Sequence, residues 1–170
     1  AVERGEFFLA YQPIVDLETM APAGFEALVR WRHPERGLVA PLDFIPAAEA
    51  SGLILPIGRF VLKEACAQLA TWRKSVPGAE GLTMSVNLSG RQFMQHDLAG
   101  SVARVIEAAG LPASAVKLEI TESVVMEHAG RTVEMLKELK SVGVSLAIDD
   151  FGTGYSSLAY LRRFPVDALK

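Results

Sequence analysis

Two adjacent carboxylates after a short apolar run constrain this chain more than any other feature. The run, residues 144–148, contains β-branched residues and predicts a strand buried on both faces. Asp149 and Asp150 follow it, and then Gly152 and Gly154 allow a sharp turn and a close approach to a ligand. A solvated turn is the alternative, since Asp and Gly are common turn formers. Buried, the paired carboxylates need a cation or a proton to offset their charge.

The composition indicates one globular domain with a slightly negative charge. Its 170 residues, half of them hydrophobic, are enough for one sizeable core. The net charge of −3 argues against non-specific DNA binding, so an anionic ligand would need a local Arg or Lys, or a metal. The single cysteine, Cys66, excludes an internal disulfide and is expected to be a buried, inert thiol. No apolar run approaches the length of about 20 residues needed to span a membrane, and we expect no membrane contact by this segment.

Predicted strands and helices alternate along the chain. The strands are predicted at 7–15, 23–31, 82–89, 116–123, 144–148 and 166–170, and the helices at 41–49, 58–74, 98–109 and 131–142. Pro13 indicates that the first strand is an edge or irregular strand, and residues 16–22 are predicted to form a hairpin connection. Repeating strand–helix units predict parallel strands with right-handed crossovers. A β/α barrel cut short and a doubly wound sheet both fit this order.

Polar residues interrupt or end four different strands of this pattern. They are Glu26, Asn87, Glu119 and the Asp149/Asp150 pair. Taken singly, Glu26 could be an edge glutamate facing water and Asn87 a turn or N-cap residue. Parallel strands place their carboxyl ends on one side, so these side chains can converge there. Such oxygen ligands suit Mg²⁺ or Mn²⁺, and adjacent aspartates could bridge two ions about 3.5–4 Å apart, as in phosphate ester hydrolysis.

These residues lie in motifs that resemble those of EAL domains, the bacterial cyclic di-GMP phosphodiesterase family. The motif that names the family is Glu26-Ala-Leu28. The other matching segments are residues 11–15 (YQPIV), 44–49 (FIPAAE), 85–89 (SVNLS), 118–123 (LEITES) and 149–157 (DDFGTGYSS). The resemblance covers residues 1–170 and implies one EAL-type domain. Its expected fold is a modified TIM-like (β/α) barrel with an antiparallel first strand, incomplete in this chain.

The resemblance also implies the metal ligands and the catalytic residues. Two Mg²⁺ or Mn²⁺ ions would be held by Glu26, Asn87, Glu119 and Asp149, with Asp150 on the second ion. Lys170 matches the family lysine near the attacking water. The implied catalytic set is Lys170, Glu26, Asp149 and Asp150.

Further residues take supporting roles by the same resemblance. Arg30 would meet a substrate phosphate, and the residues expected to line the nucleotide groove are Gln12, Leu28 and Pro46. Glu122 would hold the glycine-rich loop formed by Gly152, Thr153 and Gly154, and would not itself bind metal.

The implied reaction is hydrolysis of cyclic di-GMP to linear 5′-pGpG. The alternatives are a catalytically silent cyclic di-GMP receptor and a purely structural module. The family sequence continues past the lysine with further strands and catalytic residues, so we expect the 170-residue chain alone to be inactive. The resemblance also implies a homodimer, with a possible contact through residues 157–164. It further implies a fused sensor or GGDEF-type domain and a cytoplasmic location, with any membrane anchor in other domains.

Overall fold

A mixed sheet of seven strands forms the centre of the structure, a computed structural model that describes residues 1–127, 129–152 and 163–170. Side chains of residues 129–131 are not described. The strands in this part of the chain are β1 (Phe7–Val15), β2 (Pro22–His33), β3 (Gly37–Val39), β4 (Thr83–Leu88), β5 (Val116–Thr121), β6 (Ser145–Asp149) and β7 (Ala168–Leu169). The helices are α1 (Pro41–Ser51), α2 (Ile54–Ser75), α3 (Gly90–Phe93), α4 (Leu98–Ala109), α5 (Glu122–Glu127) and α6 (Ala129–Val142), with a 3₁₀ turn at Ala113–Ala115.

The strand order supports a barrel and not a doubly wound sheet. The order is β1-β2-β4-β5-β6-β7, with the short β3 paired to β2. Strands β2, β4, β5, β6 and β7 are parallel neighbours, whereas β1 is antiparallel to β2. A doubly wound sheet reverses its strand order at a switch point. Along the main path of this sheet, each described strand is added next to the one before it, always on the same side. The expected antiparallel first strand and its edge position are confirmed, and the described sheet is open between β1 and β7.

The face of the sheet that carries the helices forms the hydrophobic core. Alternate residues of β4, β5 and β6 point toward it, including Val86, Leu118 and Leu146, which are all almost completely buried. They pack in one cluster with the apolar stripes of the helices, such as Leu69 and Leu136. The apolar residues that recur every second position in the strands therefore pack against those that recur every 3.6 positions in the helices.

Most element boundaries differ from the sequence prediction by one to four residues, and two of the differences are informative. The strand predicted at 116–123 ends at Thr121, because Glu122 begins helix α5. Helix α2 begins at Ile54 instead of Gly58. Gly58 lies inside α2 because a Cβ there would come within 2.0 Å of the Gln92 side chain, so this glycine allows the helix to approach α3. Strand β3 was not predicted; it is only three residues long.

The fold tests the expectation for Cys66, whereas several expectations for the loop and the dimer contact fall outside the described residues. Cys66 is fully buried, and this burial raises the pKa of its thiol to about 11, as expected for an inert cysteine. In the described residues, no helix is long and apolar enough to cross a membrane. Thr153, Gly154 and all but the last two positions of the possible dimer contact at 157–164 lie outside the described residues.

Candidate active site

The strand register brings the predicted metal ligands to one face of the sheet, opposite the helices. Asn87 lies beside Glu119 in the β4–β5 pairing, and Asp149 lies beside Thr121 in the β5–β6 pairing. Residues in register point to the same face, and side chains two positions apart share that face. Glu26 pairs with Ser85, two residues before Asn87. The four strands therefore present Glu26, Asn87, Glu119 and Asp149 together.

The ammonium of Lys170 lies at the centre of this group. Its Nζ is 2.6 Å from Glu26 Oε2, 2.8 Å from Glu119 Oε2 and 4.0 Å from Asp149 Oδ2. The backbone fixes this position, since the Lys170 amide donates to the Ile148 carbonyl at 2.9 Å and its carbonyl accepts from Phe151 at 3.0 Å. A residue 144 positions from Glu26 in sequence thus completes the cluster.

The charges in the cluster depend on one another. Glu119 is 2% exposed, a position where an unpaired carboxylate is very costly. Desolvation lowers the pKa of Lys170, but hydrogen bonds and charge attraction from Glu119 and Glu26 outweigh it, so the net pKa is raised and the ammonium stays charged. Asn87 donates its amide to Glu26 Oε1 at 2.9 Å, which holds the second oxygen of that carboxylate.

The donor set fits a divalent cation. Three carboxylates from three strands lie within 4.0 Å of the Lys170 ammonium, and the Asn87 amide of a fourth strand is hydrogen-bonded to one of them. Oxygen donors of this kind suit Mg²⁺ or Mn²⁺. Across the residues that the structure describes, no group of three or more His, Cys, Asp or Glu is arranged to hold a metal ion as it stands. The ammonium explains this, because the carboxylates are directed at Nζ and not at a common metal position.

The loop after β6 is linked to the neighbouring strand through Glu122. This glutamate is 3% exposed, and its Oε2 accepts a hydrogen bond from the Gly152 amide at 2.9 Å. Gly152 has a φ of +91°, which glycine adopts without strain. Asp150 has a φ of +56°, so its exposed side chain leaves the alternation of the strand, and its amide donates to Asp149 Oδ1 at 3.0 Å.

The residues predicted to bind substrate lie on two sides of the cluster. Gln12 is beside Glu26 in the β1–β2 pairing, and Leu28 and Arg30 follow Glu26 at two-residue intervals on the same face. Arg30 donates to the Val29 carbonyl at 2.9 Å. Pro46 lies on α1, where it lines a separate pocket among helices. The structure thus places Gln12, Leu28 and Arg30 on the strand face that carries Glu26, and Pro46 in the separate pocket.

Sequence reasoning missed three residues near this site. Glu49 and Arg91 share the pocket with Pro46, although they come from helices far apart in sequence. Asp167 fixes the start of β7 by accepting from Lys140 Nζ and from the Leu146 amide, both at 2.8 Å. For Arg91 a signal was present in the sequence. Ser89 and Gln92 form a Ser-x-x-Gln capping box, which predicts the start of the helix α3 that carries Arg91.

Comparison with known proteins identifies the family. The model of the EAL domain family matches residues 1–170. The chain belongs to the EAL domain family. It is 48% identical over 170 residues to y4lL, an uncharacterized protein of Sinorhizobium fredii, and 45% identical over 170 residues to the cyclic di-GMP phosphodiesterase NbdA of Pseudomonas aeruginosa. All of this EAL domain is covered in both cases, but it spans only 20% and 22% of those proteins.

A solved structure confirms the fold of this EAL domain. The PaMucR phosphodiesterase, determined in complex with c-di-GMP, matches with a TM-score of 0.94 and 44% sequence identity. The match covers 99% of this chain and 68% of that one. EAL domains have a TIM-like barrel fold, so the expected barrel with an antiparallel first strand is confirmed.

Proposed function

We propose that this EAL domain, in the protein that carries it, hydrolyses cyclic di-GMP to linear 5′-pGpG. The observation that carries the proposal is that Glu26, Glu119 and Asp149 lie within 4.0 Å of the Lys170 ammonium, with Asn87 hydrogen-bonded to Glu26. A cation site built from oxygen donors on four strands has no evident structural purpose, since an apolar residue at Glu119 would be less costly to bury. Relatives named for this chemistry, such as NbdA, support the choice of substrate.

The residues of the cluster would hold the metal ions. EAL phosphodiesterases are generally metal-dependent, and we assign two Mg²⁺ or Mn²⁺ ions to Glu26, Asn87, Glu119 and Asp149, with Asp150 on the second ion. Bound divalent ions supply a Lewis acid for the phosphate and make water nucleophilic near neutral pH. Mg²⁺ keeps several waters and binds substrate phosphate readily, which matches a site where the side chains of Lys170 and Asp149 are partly exposed to solvent.

The chain's own cations act on the substrate and on water. Arg30 lies on the same strand face as Glu26 and would bind a phosphate of the substrate. A domain with a net negative charge needs such a local cation to bind an anionic ligand. Lys170 is charged, so in this role it orients the attacking water and stabilises negative charge that develops at the phosphate. Glu122 positions the loop that carries Asp150 through its bond to Gly152.

A second candidate is a receptor that binds cyclic di-GMP without hydrolysing it. One observation favours it: the Lys170 ammonium is 2.6 Å from Glu26 Oε2 and 2.8 Å from Glu119 Oε2, so it compensates charge in the cluster without a metal ion. In that case Lys170 would take the place of a metal ion and offset part of the negative charge of the cluster. The substrate face, with Gln12, Leu28 and Arg30, would still be available to a ligand.

Product analysis distinguishes the two candidates. The full-length protein is incubated with cyclic di-GMP and Mg²⁺, Mn²⁺ or Ca²⁺, and the products are separated by chromatography. We expect pGpG with Mg²⁺ and Mn²⁺ and less with Ca²⁺, whose looser coordination orients water poorly. Asp149→Ala should abolish the product, whereas Asp97→Ala, which removes an exposed partner of Arg104, should not. Bound but unhydrolysed cyclic di-GMP with all three metals would favour the receptor.

Several other expectations remain predictions. They are the extent of the domain over residues 1–170, a homodimer, a fused sensor or GGDEF-type domain and a cytoplasmic location. Cyclic di-GMP is the one partner for which solved complexes of relatives give support.

A further inference from the structure

A groove of about 800 Å³ lies between α1 and α2, and we call it the α1–α2 groove. Its walls are formed within residues 43–51 of α1 and 53–63 of α2. Phe7 and Trp31 of the sheet also line it, with their rings stacked at a centroid distance of 5.6 Å. None of the described residues that are predicted to bind metal or substrate lies in its lining. The proposed function therefore leaves this groove without a role.

The wall that α1 contributes has the spacing of a helix-packing stripe. The uncharged lining residues of this helix are Phe44, Ala47, Ala48 and Ser51, at positions i, i+3, i+4 and i+7. Phe44 and Ala48 are buried, whereas Ala47 and Ser51 are exposed. Small side chains on the exposed part of the stripe allow a neighbouring helix to approach to the usual distance between helix axes, about 8–10 Å.

The wall that α2 contributes repeats this spacing. Its apolar lining residues are Leu53, at the N-cap, and then Pro56, Ile57 and Phe60. Leu53 is 60% exposed, which leaves much of an apolar side chain in water. Residues 53–63 rise about 15 Å along the helix axis. Two apolar stripes of this kind form a seat for a third helix, because helices pack by fitting the side-chain ridges of one into the grooves of another.

The rim of the α1–α2 groove carries charged residues that lack ion pairs. Arg59 and Lys63 are exposed and stand four residues apart on α2, and Arg36 lies in the turn between β2 and β3. Glu3 and Asp43 also line the groove. Among the described residues, none of these five forms a salt bridge. The charged lining residues of α2 are both cations, which fits a helix whose facing flank is acidic.

The described helices of this chain do not offer such an occupant. Within them, the one large apolar side chain that is exposed is Leu42 of α1, beside the groove itself. The described part of a second copy therefore has no helix with an exposed apolar stripe to insert. The relatives y4lL and NbdA contain much more chain, since this domain spans 20% and 22% of them. A helix tethered in the same polypeptide is present at an effective concentration in the millimolar range, which favours it over a separate partner.

We propose that the α1–α2 groove binds an amphipathic helix of the full-length protein that lies outside residues 1–170. Its apolar face would contact Leu53 and Phe60, and its acidic flank would face Arg59 and Lys63. The α1–α2 groove is then the surface through which this domain holds another part of the same polypeptide. The inference does not depend on the proposed function, and its test needs no catalysis.

Photo-crosslinking from the groove tests the proposal in the purified full-length protein. Ala47, which is exposed, is replaced by p-benzoylphenylalanine, and an equal mixture of unlabelled and heavy-isotope-labelled protein is irradiated. Mass spectrometry should find one main cross-link, to a peptide outside residues 1–170 whose sequence predicts an amphipathic helix with acidic residues. Both cross-linked peptides should carry the same label. The same reagent at Glu107, exposed on α4 and outside the groove, is the control and should not give this cross-link.

Other results of this experiment overturn the proposal. A cross-link to a peptide within residues 1–170 would show that the domain's own residues fill the groove. Cross-linked peptides with different labels would show that a second copy contributes the helix. A cross-linking yield at Ala47 no higher than at Glu107 would show that the groove is open to solvent.

The acidic flank is tested by the rate at which a thiol in the groove is modified. In full-length Ala47→Cys, the rate of maleimide addition to the peptide that contains position 47 measures how often the helix leaves the groove. Arg59→Glu combined with Lys63→Glu should raise this rate about fivefold or more, because attraction to the flank becomes repulsion. Lys74→Glu combined with Lys137→Glu reverses two exposed lysines outside the groove and should leave the rate unchanged.

The direction of the change excludes a local effect on the thiol itself. New carboxylates near position 47 would raise the pKa of the thiol and slow its reaction, so a faster reaction reports the opening of the groove. An unchanged or slower rate in the variant of Arg59 and Lys63, with a circular dichroism spectrum equal to that of the wild type, overturns the acidic flank. If that spectrum is lost, the cross-link from Ala47 in the otherwise unaltered protein decides.

Discussion

The two faces of the sheet contrast most sharply on β5, where consecutive residues alternate between them. Leu118 and Ile120 point to the helices, and Glu119 between them points to the acidic cluster; all three are at most 2% exposed. On the helix face, burial itself stabilises the fold, because apolar surface leaves water. On the opposite face, burial destabilises each charge unless its neighbours compensate. The same degree of burial therefore has opposite energetic effects at neighbouring residues of one strand.

This contrast teaches that the cluster exists for a purpose other than stability. The helix face tolerates substitution as long as volume and hydrophobicity are kept. The cluster face depends on the identity of individual atoms, such as the Nζ of Lys170 between Glu26 and Glu119. Substitutions on the cluster face should mainly change activity, and those on the helix face should mainly change stability.

The largest effect is expected for Glu119→Gln in the full-length protein. The rate of cyclic di-GMP hydrolysis should fall at least about 10³-fold, because the substitution removes a charge at the centre of the proposed cation site. Initial rates with Mg²⁺ or Mn²⁺ measure this. Glu138→Gln, on the exposed side of α6, is the control and should keep the wild-type rate. A Glu119→Gln variant with more than a tenth of that rate would contradict the assignment.

A large effect on stability is expected for Leu146→Ala on the helix face. The free energy of unfolding should fall by about 2–5 kcal/mol, because the fully buried side chain leaves a cavity. Urea denaturation measures the loss. Leu42→Ala, at a position 89% exposed, should stay within about 0.5 kcal/mol of the wild type. Equal losses at both positions would show that the contrast between buried and exposed leucines is not the cause.

An intermediate effect is expected for Glu122, which bonds to the loop that follows β6. Glu122→Ala should reduce kcat about 10- to 100-fold by freeing the Gly152 amide, as is usual for residues that support a metal site from outside. Glu122→Gln should recover part of the rate, because the amide oxygen can still accept from Gly152. The comparison of kcat among the three proteins is the measurement. Recovery of the full rate in the alanine variant would exclude a positioning role.

The smallest effect is expected for Asp167→Asn at the start of β7. Partial burial acts to raise the pKa of Asp167, but hydrogen bonds from Lys140 and Leu146 outweigh it and the net pKa is lowered. The contribution to stability is therefore present above the unfolded pKa, about 3.9, and is lost as the pH falls through the folded pKa. Since the side chain is 42% exposed, we expect only about 0.5 kcal/mol.

The test for Asp167 is the difference in unfolding free energy between the wild type and Asp167→Asn, measured at pH 6 and pH 3. The difference should be present at pH 6 and smaller at pH 3. A difference that grows toward acid pH would contradict the lowered pKa.

Local sequence predicted the helix face better than the site. Leu118 and Ile120 belong to an alternation of apolar and polar residues within one short segment, and this alternation alone predicts strand β5. Its end was misplaced because the strand was extended to residue 123, although the apolar alternation stops after Ile120 and an acid at position 122 is favourable in the first turn of a helix. Glu122 also bonds to Gly152, which is 30 residues away in sequence and therefore invisible to any local pattern.

The site itself required information beyond local patterns. Convergence of Glu26, Asn87, Glu119 and Asp149 followed from the parallel strand order, but Lys170 entered only through the family resemblance. Its interaction with Glu26 spans 144 residues. The pocket of Glu49 and Arg91 was missed for the same reason, because α1 and α3 meet only in the folded structure.

The reversed direction of β1 places the beginning of that strand at the rim of the sheet that carries the candidate site. In a barrel of parallel strands, the chain enters at the rim opposite the chemistry. Here Phe7, at the start of β1, pairs and stacks with Trp31 near the carboxyl end of β2, and Trp31 donates to Glu6 at 3.0 Å. Trp31 adjoins Arg30, the proposed phosphate ligand. The residues that precede β1 are therefore held against the end of the strand that carries Arg30, so the beginning of the chain and the proposed phosphate ligand share one rim of the sheet.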